Sequence, residues 1–99
     1  MSAPDDTIPH LRPMDAAAVD PLCDAAHRLC RDSYMTMMEA NALRASRTPW
    51  DARRLANALA NYDPGHITPE IAEIIAELDQ LALDKAGLKP GPRRHLGGK

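Results

Sequence analysis

Cys23, His27 and Cys30 are the residues of this 99-residue chain whose types and spacing come nearest to chemistry. On a helix turning 100° per residue they fall within about 60° of one another, a line of soft metal ligands. The line is too long for one ion, because seven residues at 1.5 Å rise put the two cysteine Cα atoms roughly 10.5 Å apart. A tetrahedral zinc site would need ligands from another helix or subunit, and a disulfide needs Cα atoms within about 7 Å. Both thiols are therefore expected to fill core positions, with His27 at the edge. A metal-responsive protein built on these three residues ranks third among the functional readings, and no metal or other cofactor is assigned.

Arg44, Arg47, Arg53 and Arg54 crowd the turn between the first two expected helices. With Arg93, Arg94, Lys89 and Lys99 of the tail they make a candidate nucleic-acid surface. The following helix would then be the groove reader of a helix-turn-helix. It carries Glu70, Glu73, Glu77 and Asp79, where a helix facing phosphates needs cations or amides. Nucleic-acid binding is accordingly the runner-up, and those four acidic residues are the candidate docking face for a protein partner. Met35, Met37 and Met38 spread around their helix instead of converging as copper ligands would, so they are expected to pack in a core or an interface.

Enzymatic signatures are missing from the sequence. It has no glycine-rich phosphate loop, no HExxH and no Cys-x-x-Cys, and its histidines, at 10, 27, 66 and 95, are scattered. Asp32-Ser33 resembles the attachment dipeptide of carrier proteins, without the apolar residues such a site keeps around it. The chain is read as a non-enzyme.

These residues must be positioned by helices. Asp20-Pro21, Thr48-Pro49 and Thr68-Pro69 each pair a capping oxygen with a proline suited to the first helical position. Asp51, three residues after Thr48, completes a pattern like a capping box. In the third helix Ile67, Ile71, Ile74, Leu78 and Leu81 recur at helical spacing, widened by Ile75 and Ala82. It should close at Gly87, with Leu88 folding back onto the last turn. The second helix runs from Pro49 to Tyr62, with Trp50, Leu55 and Leu59 as large apolar groups before an Asp63-Pro64-Gly65 turn. The first, from Pro21 to about Ser46, carries a stripe through Leu22, Ala26, Leu29, Ser33, Met37 and Ala40, and Ser33, Tyr34 and Thr36 mark a candidate bend. The expected fold is all-α: a small three-helix bundle, or four helices if the first is broken near Ser33. A flexible acidic segment (1–19) precedes the helical domain (20–87), and a flexible basic tail (88–99) follows it.

Composition bounds the function. One Trp, two Tyr and no Phe leave Leu, Ile and Met to carry the core, although 44% of residues are hydrophobic. A core so thin favours association, either with a protein partner or as a homodimer through the third helix's seam. The net charge of −2 hides a local contrast, with −4 over residues 66–85 and +4 over 86–99. An acidic, proline-spaced N-terminus unlike a secretory signal, and the lack of a membrane-length apolar run, point to the cytoplasm and away from membranes. The leading expectation is a small non-enzymatic helical interaction protein: a regulator, inhibitor or accessory subunit that binds another macromolecule.

Overall fold

A side-chain oxygen starts each α-helix among the described residues. In a computed structural model, which describes residues 8–61 and 67–90, the helices are α1 (Ala16–Leu29), α2 (Tyr34–Ser46), α3 (Pro49–Ala60) and α4 (Pro69–Ala86), preceded by a 3-10 turn at Pro9–Leu11. No strand occurs among the described residues. Asp15 accepts from the Ala17 amide, Ser33 from Thr36, Thr48 from Asp51 and Thr68 from Ile71. Each cap satisfies one of the four amides that a helix start leaves without an internal partner.

Thr48 and Thr68 cap as the sequence predicts, but Asp20 does not. α1 begins five residues before Pro21, because Ala16, Ala17 and Ala18 are the best of helix formers and Asp15 supplies the cap instead. The cost is one hydrogen bond. Pro21 has no N–H, so the carbonyl of Ala17 loses its i+4 donor, at an exposed position where water can replace it. The capping box at Thr48 is also only half made. The Thr48 amide donates to Ser46 Oγ (3.2 Å), and the Asp51 carboxylate accepts from that same serine.

The long first helix is broken, as the four-helix alternative anticipates. α1 ends at Cys30, whose backbone (φ −127°, ψ 46°) is no longer helical, and Ser33 recaps the chain for α2. α4 closes on Gly87 in the left-handed region (φ 67°), with the Leu88 amide reaching back to the carbonyl of Ala82 at 3.2 Å. Residues 8–19, expected to be flexible, carry the 3-10 turn and the start of α1, and bury Met14 and Val19. Tyr62, the Asp63-Pro64-Gly65 turn, His66, Arg93, Arg94, His95 and Lys99 lie outside the described residues.

The core gathers one face from each helix. Leu43 of α2, Leu55 and Leu59 of α3, and Ile75 and Leu78 of α4 are among its largest fully buried side chains, with Val19 and Cys23 from α1. Six buried alanines, at 26, 40, 52, 56, 60 and 82, add little area but let the helix axes approach. The isoleucine and leucine seam of α4 is buried as its periodicity requires, with Ile67 and Leu81 partly buried against it. α4 packs chiefly on α3 and only sparsely on α1. The seam is thus packed against the chain's own helices. No helix among the described residues is long and apolar enough to cross a membrane.

Urea unfolding checks this assignment. Leu59→Ala and Leu78→Ala should each cost about 2–5 kcal/mol, and Ser33→Ala about 1 kcal/mol. Met38→Ala, on the outward side of α2, should stay within about 0.5 kcal/mol of the wild type.

Candidate functional site

The thiol and histidine line is taken apart by the fold. Cys23 and Cys30 are fully buried, while His27 points to the rim, where its Nε2 lies 2.8 Å from Asn41 Oδ1 of α2. Cys30 sits past the last helical residue, so the three no longer share one straight helix. Burial pushes the Cys23 thiol up to about 11, and burial together with the nearby Asp32 charge raises Cys30. The thiolate is the form that ligates or attacks, and both positions oppose it. No group of three or more His, Cys, Asp or Glu side chains converges on a metal-sized site among the described residues.

The arginines divide into separate roles. Arg47 is the only described non-glycine residue with positive φ (56°), the left-handed cap that ends α2. Its carbonyl accepts from the Met14 amide at 2.7 Å, and its guanidinium holds Asp20 of α1 through Nε (3.1 Å) and a terminal nitrogen (3.0 Å). That pair holds the Asp20 carboxyl below its ordinary value and raises Arg47. Arg44 pairs with Asp24 of α1, and Arg54 with Glu39 of α2 at 3.1 Å. Arg53 lies beside Trp50 and Asn57 on α3, and the His10 ring meets Trp50 at a tilt of 52° with a centroid distance of 5.5 Å. Three of the four arginines therefore join helix to helix instead of forming a shared cationic surface.

α4 keeps most of its acidic face. At 100° per residue Glu70, Glu73, Glu77 and Asp84 fall within about 60° of one another, whereas Asp79 lies about 180° from Glu70. Asp79 is half-buried and belongs to the other flank, which removes it from the expected docking face. Glu70 reaches Arg28 of α1 at 3.8 Å, and Asp84 accepts from Gln80 at 2.8 Å. Beside the stripe, α1 and α4 enclose an open groove of about 440 Å³, lined by Ala17, Ala18, Pro21, Leu22, Glu77, Gln80 and Leu81.

The surface that the sequence reading missed is the outward side of α2. Thr36, Ala40 and Leu43 turn inward, which leaves Tyr34 79%, Met35 60% and Met38 47% exposed, together with exposed Asn41, Ala42 and Ala45. None of these six positions is charged. Of the two places expected for Met35 and Met38, a core or an interface, the core is closed to them, because the smaller threonine and alanine take the close contact. The available signal was the run of uncharged residues at 34, 38, 41 and 45, a second apolar stripe opposite the first. Met35 also borders a groove of about 490 Å³ between α2 and α3, with Glu39, Arg54, Asn57 and Asn61 around it.

No family model, curated protein or solved structure matches the chain.

Two measurements check the electrostatics. Arg47 holds the ionised form of Asp20, so that stabilisation is complete above the ordinary carboxyl value of 3.8 and is lost as pH falls through the lowered folded value. The stability gap between wild type and Asp20→Asn should therefore be open at pH 7 and narrow below about pH 4 in urea titrations. Cys23 should resist iodoacetamide at pH 8 in the folded protein and react once urea unfolds it.

Proposed function

We propose that the chain is a small non-enzymatic helical interaction protein, a regulator, inhibitor or accessory subunit of the cytoplasm that binds another macromolecule through the outward side of α2. The observation that carries this reading is the exposure of Tyr34, Met35 and Met38 on a helix side without a charge. Isolated apolar residues on a surface are ordinary, but a contiguous apolar face edged by polar groups marks a contact site. Methionines suit one, because an unbranched thioether adapts to the shape it meets. The polar rim is supplied by Glu39, Arg54 and Asn61 across the α2–α3 groove.

A second copy of the chain is one partner this face fits. Its bulk is at one end, in Tyr34, Met35 and Met38, and its small residues, Ala42 and Ala45, are at the other. Antiparallel pairing about a two-fold axis sets large against small along the whole helix. Nucleic acid fits less well, because Arg44, Arg47 and Arg54 are engaged by Asp24, Asp20 and Glu39.

The test is a Met35→Glu/Met38→Glu double variant. Its helical circular dichroism should equal that of the wild type, since both side chains lie outside the core. Partner capture from the native host, or self-association in sedimentation across a concentration series, should weaken by about tenfold or more. Equal retention of every partner by the two proteins, with equal self-association, would overturn the reading.

A further inference from the structure

The groove between α1 and α4 offers an apolar floor beside a one-signed wall. Ala17, Ala18 and Pro21 form the α1 lip and Leu22 and Leu81 the floor, so that side carries no charge. The opposite lip is the acidic stripe of α4, where Glu77 borders the groove and Glu73 and Asp84 continue the line, all three exposed. From Glu73 to Asp84 the stripe runs eleven residues, about 16 Å along the helix axis. The Arg28–Glu70 ion pair at 3.8 Å marks the end of the groove nearest the start of α4.

The two lips differ in what they recognise. Alanines and a proline let another backbone come close and reward apolar side chains pressed onto Leu22 and Leu81. Carboxylates at 73, 77 and 84, four and seven residues apart on one helix side, match cations at the same spacing on a neighbouring helix. The α1 lip contributes no Lys or Arg before Arg28, and α4 carries none from Glu73 to Asp84, so incoming positive charge meets its own sign only at the two ends, at Arg28 and Lys85. We propose that this groove docks a basic amphipathic helix of another polypeptide, its apolar side seated on Leu22 and Leu81 and its Lys or Arg side chains facing Glu73, Glu77 and Asp84. This is a second interaction surface, separate from α2, and it adds a partner chemistry that the α2 side, being uncharged, does not specify.

The probe is a fluorescein-labelled 14-residue peptide of leucine and lysine, with leucines at helical spacing, compared with a scrambled peptide of the same composition. The patterned peptide should bind the full chain saturably, the scrambled one at least about fivefold more weakly, and binding should fall steeply as salt rises. Glu73→Gln/Glu77→Gln should weaken it by about fivefold or more, and so should Ala18→Lys, which places a cation on the α1 lip. The Met35→Glu/Met38→Glu variant should bind the probe as the wild type does, so loss of the α2 reading leaves this one standing. Equal affinity for patterned and scrambled peptides, or no loss in the glutamine and lysine variants, would overturn the proposal. So would an Arg93→Gln/Arg94→Gln chain that binds the probe tenfold more tightly, because the groove would then belong to the protein's own tail.

Discussion

Apolar contact between α3 and α4 is the constraint on which the other elements depend. Leu55 and Leu59 share one buried cluster with Ile71, Ile74, Ile75 and Leu78, and these two helices make the most extensive contact among the described elements. Burying a leucine or isoleucine contributes about 1.5–3 kcal/mol relative to leaving it in water. Alanine contributes far less, and six of the buried residues are alanines. No aromatic ring fills a gap between the helices in the described core, with Tyr34 and Trp50 both exposed, so the helices close the distance instead. α1 and α2 then lie on a surface already formed, adding Val19, Cys23, Ala40 and Leu43 to it.

Polar clamps at the edges set where those two helices come to rest. Arg47 does the most, since a single residue ends α2, turns the chain toward α3, accepts from the Met14 amide and grips Asp20 on α1. The left-handed backbone costs a side-chain-bearing residue about 1–2 kcal/mol, and glycine would adopt it freely. Glycine would also release Asp20, so the strain persists because the guanidinium holds two elements in place. The pairs Arg44–Asp24, Arg54–Glu39 and Arg28–Glu70 repeat the device between α1 and α2, α2 and α3, and α1 and α4. Arg44–Asp24 and Arg28–Glu70 are too exposed to contribute much stability, whereas the Glu39 carboxylate facing Arg54 is mostly covered.

What was legible in the sequence was local. Thr48, Thr68 and Gly87 act through their own backbone neighbours, and the α4 seam repeats every three or four residues, so both can be read without knowing what packs on them. Asp20-Pro21 has the same local grammar as Thr48-Pro49, yet it lost to Asp15, because three alanines upstream extend the helix at the cost of one bond. The candidate sites were less legible, since their fate is tertiary. Nothing in the spacing of Arg44, Arg47 and Arg54 reveals that carboxylates from other helices stand opposite them. The two stripes of α2 are both apolar, and only the small size of Thr36 and Ala40 decides which one faces the neighbours and which leaves Met35 and Met38 outside. Asp79 parted from the other acidic residues for a simpler reason, visible in its angular position.

The two cysteines have a consequence for the conditions under which this architecture holds. Cys23 and Cys30 serve as packing atoms, sealed from solvent, unpaired with each other and poor at forming thiolates. Oxidants of the glutathione type react through the ionised sulfur, which the fold suppresses. The stability of the helical arrangement therefore owes nothing to a crosslink that a change of redox poise could make or break.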